Sequence, residues 1–259
     1  MLIGRSNGNR AQAPDVATYA TNITGSSSTT KTAQMPGTGM LKAGMLVVAT
    51  AAWSGTSGCT ASSLTDTAGN TWTIVQQTTS AGGTFPGCAI AWCVPTADIP
   101  RSNAGYTFTW TMSAAVTIFN AQFYVWEQPM WSAGGPPNVT AHGSATGNST
   151  AVAIASAATV NVTGTRSGAL FVACWTSTNT GTVGGSFTER YDGAVSTSRY
   201  YGGTRIDLAP GTAVAPAATI ATAATDWAAC SVSWSTARER QRVTTRFRSR
   251  PTIMAGRRY

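Results

Sequence analysis

The chain has 259 residues, of which 42% are hydrophobic and only 10% are charged, and its formal net charge at pH 7 is +8. This length is enough for two domains of ordinary size. Nine Trp with seven each of Phe and Tyr supply material for packed cores, which excludes a disordered chain. Gly and Pro punctuate the whole chain and no amphipathic stretch of helical period lasts three turns, so the composition predicts an all-β fold of many short strands.

Residues 1–13 are a polar lead-in to the first predicted strand. They contain no apolar segment of the kind that a secretion signal needs, so we expect the protein to be made in a cytoplasm and not secreted. No apolar run of the chain approaches the roughly 20 residues of a membrane helix, so we expect no membrane partner.

The chain contains one apolar run twice, as Gly44–Trp53 (GMLVVATAAW) and as Gly168–Trp175 (GALFVACW). Each run is too short for a buried helix and is bounded by turn residues, which predicts a strand buried on both faces. Four flanking segments recur in the same order: Pro14–Ala17 with Pro137–Thr140, Thr24–Ser28 with Thr146–Thr150, Asn70–Thr73 with Gly185–Thr188, and Ala121–Trp126 with Ala229–Trp234. The collinear repeat predicts an internal duplication that gives two related β units.

The first unit, residues 14–130, is predicted to be an antiparallel β-sandwich. Tyr106–Met112 alternates apolar side chains with Thr, which is typical of a half-buried antiparallel strand. Leu64–Val75 is predicted to be a hairpin, with Asp66 and Asn70 closing its turn through bonds to the backbone. Ligation of calcium by Asp66 and Asn70 is the alternative, but no further acidic residue lies nearby in the sequence.

Residues 131–137 (WSAGGPP) are predicted to be a linker, because two Gly followed by two Pro continue neither a helix nor a sheet ladder. Residues 138–236 are then the second sandwich. The predicted body is therefore two tandem antiparallel β-sandwiches of jelly-roll-like form.

The composition changes abruptly at residues 237–259. This segment carries eight Arg and one Glu, a charge of +7 out of the total of +8, which leaves +1 for everything before it. Six of the arginines are at alternate positions and so share one face of an extended chain. We predict an extended C-terminal arm that lies along an acidic partner, and the alternative is a solvated basic tail. The predicted partner-binding residues are Arg238, Arg240, Arg242, Arg246, Phe247, Arg248, Arg250, Arg257 and Arg258.

The sequence contains no catalytic motif, and we expect no catalytic residue, no metal and no cofactor. His142 is the single His and has no nucleophile motif near it. The nine acidic residues are scattered, although carboxylates from distant strands could face each other as in a glycosidase. The five Cys are predicted to be small buried hydrophobic residues, with a Cys174–Cys230 disulfide as the alternative.

Trp residues offer the candidate glycan contacts. Trp53 and Trp131 lie at predicted strand–loop edges, so we expect them to be the exposed candidates for stacking on a sugar. The Trp residues within predicted strands are expected to pack in cores, and they are Trp72, Trp92, Trp110 and Trp126.

Several of these segments together resemble duplicated β-sandwich modules in virion proteins of tailed bacteriophages. They are GMLVVATAAW, TDTAGNTWT, AIAWCV and a strand ending in VWEQP, followed by GALFVACW, GGSFTERYD and DWAACSVSW. The resemblance covers residues 14–235 and implies a head-decoration, minor capsid or minor tail protein without catalytic residues. Fifteen Arg against two Lys would suit a phage of an actinobacterial host.

We therefore expect a non-enzymatic virion structural protein, in the first place a capsid accessory protein that docks on the shell through its arm and stabilises it. The expected partner is the major capsid protein or another virion subunit with an acidic surface, with self-association on the particle and contact with nucleic acid as alternatives. The competing functions are a minor tail or tail-tip protein that contacts host glycans, and a free carbohydrate-binding module.

Overall fold

A computed structural model describes residues 16–35, 40–100, 106–126, 138–153, 166–184, 186–206, 215–221 and 225–236. Every regular element in these ranges is a β-strand, and all of the strand pairs are antiparallel. The predicted all-β fold class is confirmed.

The first half of the chain forms one large sheet with a partial second layer. Its strands are β1 (Val16–Ala33), β2 (Met40–Leu41), β3 (Leu46–Ser54), β4 (Ala61–Asp66), β5 (Thr73–Thr79), β6 (Gly87–Cys93), β7 (Ile99–Pro100) and β8 (Phe108–Trp126). The sheet order is β1-β8-β3-β6-β5, and β2 pairs with β7 separately. β1 and β8 are long, and after a register shift their outer parts continue as a second layer to which β4 adds.

The second half forms a five-stranded sheet and a separate three-stranded sheet. Its strands are β9 (Asn138–Ser149), β10 (Ala151–Ala153), β11 (Arg166–Trp175), β12 (Gly181–Gly184), β13 (Thr188–Val195), β14 (Ser198–Ile206), β15 (Ala217–Ile220) and β16 (Thr225–Thr236). The larger sheet has the order β9-β16-β11-β14-β13, and the smaller one has the order β10-β15-β12.

The two halves therefore share one strand order. β1, β8, β3, β6 and β5 match β9, β16, β11, β14 and β13, while the outer layer of the first half matches the three-stranded sheet. Both edge strands carry a register shift at the same place, between Ile74 and Gln76 in β5 and between Glu189 and Tyr191 in β13. These matches are what an internal duplication predicts, and common descent of the halves stays a prediction.

The strand pairing also refines the sequence alignment of the halves. Leu46 of β3 is opposite Trp126, the last residue of β8, and Gly168 of β11 is opposite Trp234 near the end of β16. Leu46 and Gly168 are therefore equivalent, so aligning Gly44 with Gly168 is wrong by two residues. Gly44 instead lies in the turn before β3, where it has a φ of 85°.

Three hydrophobic cores separate four layers of strands. The first lies inside the first half and includes Ala49, Trp53, Phe108, Trp110 and Phe123. Another lies inside the second half, between its two sheets, and includes Phe171, Trp175, Tyr201, Ile220 and Trp227. The third, which we call the central core, lies between the two five-stranded sheets and combines Val48, Ile90 and Tyr124 with Val172, Cys230 and Val232. The halves are thus joined by a shared core. The prediction of two tandem sandwiches did not include such a core.

The central strands β3 and β11 contribute to two cores each because successive side chains point to opposite faces. In β3, Val47 and Ala49 face the first core and Leu46 and Val48 face the central core. All of β3 is buried, as is Gly168–Trp175 of β11. The prediction that these two runs are strands buried on both faces is confirmed.

The two large sheets pack through equivalent surfaces. β5 lies against β9 and β1 lies against β13, while β3 lies against β11. Since β5 matches β13 and β1 matches β9, the two contacts are related by an approximate two-fold axis. This is the arrangement of a symmetric dimer interface, here formed within one chain.

Trp residues cover glycines on neighbouring strands, which explains how a chain with 27 Gly and nine Trp packs its sheets. Trp53 is opposite Gly87, Trp227 is opposite Gly147, and Trp234 is opposite Gly168. A Cβ atom at these glycines would lie 2.4, 2.6 and 2.4 Å from the facing indole, respectively. Only Gly leaves room for the ring at each of these positions.

Candidate functional site

Most of the predicted contact residues lie outside the described part of the chain. These are Trp131 and the arm residues Arg238, Arg240, Arg242, Arg246, Phe247, Arg248, Arg250, Arg257 and Arg258. The described residues do fix the point at which the arm segment begins, because Thr236 is the last residue of β16 and pairs with Arg166.

Four chain positions that border undescribed segments lie at one end of the body. Within the first sheet Val16 pairs with Trp126, and within the second sheet Asn138 pairs with Ser235, next to Thr236. We call this group of Val16, Trp126, Asn138 and Thr236 the terminal end. Residues 1–15, 127–137 and 237–259 all connect to the body there.

Contacts between the two sheets show that their strands run in the same sense. The Cys174 Sγ atom lies 3.5 Å from the Trp53 carbonyl oxygen, and Ser54 Oγ lies 2.9 Å from Ser198 Oγ. Trp53 and Ser54 are the last two residues of β3, and Cys174 is next to the last residue of β11. These contacts therefore join the two sheets at the end opposite to the terminal end. Since packed sheets in sandwiches keep their strands within about 30° of each other, the starts of β3 and β11 lie together at the terminal end.

The prediction that Trp53 is exposed is wrong. Its side chain is 0% exposed and packs in the first core, with Gly87 on one neighbouring strand and Phe119 on the other. Trp53 does lie at the end of its strand, next to the last residue Ser54, but its ring is covered by the first core. Among the residues whose side-chain burial is described, Met40 is the one exposed large apolar residue, and about half of it is accessible, at 48%. Trp53 therefore offers no platform for stacking on a sugar.

The Trp residues predicted to pack within strands are in part buried. Trp110 is fully buried in the first core, whereas Trp72 packs against that core and Trp92 against the central core with part of each ring accessible. Trp126 ends β8, and its side chain lies outside the described set.

Asp66 closes a turn, as the sequence predicted. Its carboxylate accepts from the Asn70 backbone N at 3.0 Å, from Asn70 Nδ2 at 2.9 Å and from Trp72 Nε1 at 2.8 Å. The predicted hairpin is wrong, however, because β4 pairs with β8 and β5 pairs with β6. The turn instead connects the outer layer to the large sheet. With three donors on its oxygens, the carboxylate is committed to the turn and calcium ligation is not favoured.

Replacing Asp66 by Ala is expected to lower the free energy of unfolding by about 2–3 kcal/mol, because three donors lose a charged acceptor in a partly buried site. Urea unfolding measures the change. Asp98→Ala is the matched control, since Asp98 also accepts from a side chain and a backbone N, those of Lys42 and Ala43, but is exposed. We expect little change from the control. Equal effects of the two substitutions would contradict the structural role given to Asp66.

A buried polar network crosses the central core. The Tyr124 hydroxyl donates to Gln122 Oε1, Gln122 Nε2 donates to Asn120 Oδ1 at 2.7 Å, and Asn120 Nδ2 donates to the Tyr191 hydroxyl at 3.3 Å. The first three side chains alternate along β8, and Tyr191 belongs to the other half. Burial raises the pKa of Tyr124 far above its ordinary value, so this hydroxyl keeps its proton. The network links the halves and has no group suited to acid–base catalysis near neutral pH.

The remaining carboxylates with described contacts are also held by neighbours in their own half. Asp192 Oδ2 accepts from Arg199 Nη2 at 2.8 Å in a largely buried ion pair, and Asp226 Oδ1 accepts from Asn148 Nδ2 at 2.7 Å. The Arg199 guanidinium also donates to the Thr178 carbonyl at 2.8 Å. Asp192 is therefore held in structural contacts. These contacts give no support to a pair of catalytic carboxylates like that of a glycosidase.

All five Cys are buried, as predicted. Burial raises the pKa of the Cys93, Cys174 and Cys230 thiols, which disfavours the thiolate that a nucleophile needs. His142 lies in β9, where its side chain is not described. Within the described ranges no group of three or more His, Cys, Asp or Glu side chains is arranged to hold a metal ion.

Comparison with protein-family models, with curated protein sequences and with solved structures gives no match to this chain. In the part of the chain that the structure describes, there is no helix with the length and apolar character needed to cross a membrane.

Proposed function

We propose that this protein is a non-enzymatic structural component of a bacteriophage particle, a capsid accessory protein that docks on the shell through residues 237–259. The observation that carries the proposal is the separation of packing from charge. The body holds three stacked cores, whereas +7 of the net charge of +8 belongs to the segment that follows Thr236. Such a body is suited to sit on the particle as a rigid unit, and such a segment is suited to bind that unit to the shell.

The arm segment has the chemistry to bind an acidic surface. In an extended chain, Arg238 to Arg250 place six guanidinium groups on one face, and each can make a bidentate pair with Asp or Glu. The 23 residues can reach up to ~75 Å when fully extended, which is enough to cross a subunit boundary. The proposed partner is therefore the major capsid protein or a neighbouring virion subunit with an acidic groove.

The glycan-binding alternatives have less support. A tail-tip protein or a free carbohydrate-binding module needs accessible aromatic rings, and Trp53 is buried in the first core. Trp131 lies outside the described residues, so it gives neither alternative a described site.

Truncation after Thr236 tests the proposal. We expect the shortened protein to fold as the full chain does, because residues up to Thr236 already form three packed cores. We also expect it to be lost from assembled particles, since the docking charge is removed. Mass spectrometry of purified particles measures incorporation, and circular dichroism with urea unfolding checks the body.

Two full-length variants serve as matched controls. Changing the six alternate arginines to Gln removes the charge and should abolish incorporation, whereas changing them to Lys keeps the charge but loses the bidentate geometry and should give an intermediate level. Cross-linking within the particle then identifies what the arm contacts. Full incorporation of the truncated protein, or cross-links to nucleic acid alone, would overturn docking on an acidic protein surface.

A further inference from the structure

Two cysteines from opposite halves meet in the central core. Cys88 in β6 donates from its Sγ to the Sγ of Cys230 in β16 at 3.1 Å, and Cys230 Sγ lies 3.4 Å from the Cys88 carbonyl oxygen. Both residues are fully buried, and 142 positions of sequence separate them. A disulfide bond between them would therefore join two sheets that otherwise hold together through packing and hydrogen bonds.

We propose that Cys88 and Cys230 form a disulfide that locks the two halves together when the protein meets an external disulfide such as oxidised glutathione. In the first step one thiol, as thiolate, attacks the glutathione disulfide and releases one reduced glutathione. The second thiol then attacks the resulting mixed disulfide and releases the other. The protein loses two protons and two electrons, and one glutathione disulfide becomes two thiols.

The geometry favours this pair over Cys174–Cys230, the other pairing that Cys230 could make in the central core. The sulfur atoms need to approach by only about 1 Å to reach the length of a disulfide bond. Cys174 is in the same core, but it is opposite Ala228 while Cys230 is opposite Val172. This diagonal relation on neighbouring strands separates Cβ atoms by up to about 7–8 Å, against the roughly 4 Å that a disulfide requires. The Cys174–Cys230 pairing considered from the sequence is therefore disfavoured.

The buried position of the pair sets the conditions for the reaction. Burial raises the pKa of Cys230, so little thiolate forms while the core is closed. Oxidation must then pass through brief separation of the sheets that admits glutathione. We expect the rate to rise in urea concentrations below the unfolding transition and at higher pH. This inference is independent of the proposed place on a phage particle.

The experiment uses the full-length protein incubated with oxidised glutathione, with and without urea below the transition. Remaining thiols are then blocked and the digested protein is mapped by mass spectrometry. We expect one linked peptide pair containing Cys88 and Cys230, with a mass two hydrogen atoms below that of the two peptides. We also expect the urea midpoint of the oxidised protein to rise and to return to its original value with dithiothreitol.

Cysteine variants test whether the disulfide is specific to Cys88 and Cys230. Cys88→Ala and Cys230→Ala should each abolish the stabilisation, while Cys174→Ala and Cys59→Ala should leave the linkage intact. The wild-type mapping remains decisive even if a core variant fails to fold. A linkage through Cys174, glutathione adducts without an internal bond, or an unchanged number of free thiols at urea concentrations that allow opening would each overturn the proposal.

Discussion

Residues 1–130 and 131–259, produced as separate polypeptides, are expected to aggregate or fold incompletely alone and to form the native structure only when combined. Each half buries one face of its large sheet in the central core, with Leu46, Val48 and Ile90 on one side and Val172 and Val232 on the other. Separation would expose these apolar faces to water over a contiguous area, which favours aggregation. We expect the inner core of each half to be too small to offset this exposure.

Co-expression of the two fragments measures the effect. The expected result is a one-to-one complex on size-exclusion chromatography, with a single cooperative urea transition close to that of the intact chain at high protein concentration. A useful control is a fragment pair in which Val172→Asp places a charge in the central core, which should prevent association. Two monomeric fragments that each unfold cooperatively would instead establish independent sandwiches, as the sequence predicted.

The burial of the central strands β3 and β11 was predictable because it follows from their own residues, without knowledge of the strands that pack on them. Leu46–Ser54 is buried on both faces, and a continuous apolar run is the pattern of such a strand. The same pattern implies a layer on each side of the sheet. It does not identify those layers, because the partner of each face is distant in sequence. For β3, one of these layers belongs to its own half and the other belongs to the second half of the chain.

Strand pairing was predicted less well for the same physical reason. β8 pairs with β1, β3 and β4, none of which neighbours it in the chain. The alternation in Tyr106–Met112 correctly indicated a strand, and Ala121–Trp126 correctly indicated another. Their fusion into the single 19-residue β8 was not predicted. β1 pairs with both parts of β8, from Phe108 to Thr111 and from Ile118 to Trp126, so a partner distant in sequence makes them one strand.

The candidate functional contacts also divide into local ones, which the sequence predicts, and long-range ones, which it does not. The role of Asp66 was predictable since turn bonds are local, while the burial of Trp53 depends on Gly87, a residue 34 positions away that leaves space for the indole ring. The Cys88–Cys230 contact also joins residues on strands of different halves. No spacing rule in the sequence indicates such a pair.

Gly202 is expected to be among the least tolerant positions in the body. A Cβ atom there would lie 1.7 Å from the Tyr124 hydroxyl oxygen and 2.6 Å from Gln122 Oε1, both fully buried between the sheets. Because the central core has no room for Tyr124 to retreat, we expect Gly202→Ala to lower the free energy of unfolding by about 3 kcal/mol. Urea unfolding followed by Trp fluorescence measures the loss.

The adjacent glycine and the facing tyrosine provide the controls. Gly203 lies on the opposite face of β14, where a Cβ atom would meet its nearest neighbour, the Thr188 carbonyl oxygen, at 3.4 Å. Gly203→Ala should therefore change stability by less than about 1 kcal/mol. Tyr124→Phe removes the clashing hydroxyl, so the double variant Gly202→Ala/Tyr124→Phe should be more stable than the sum of the single losses predicts. Strictly additive losses in this cycle would show that Gly202 and Tyr124 do not meet, and the face-to-face packing of the two sheets would have to be abandoned.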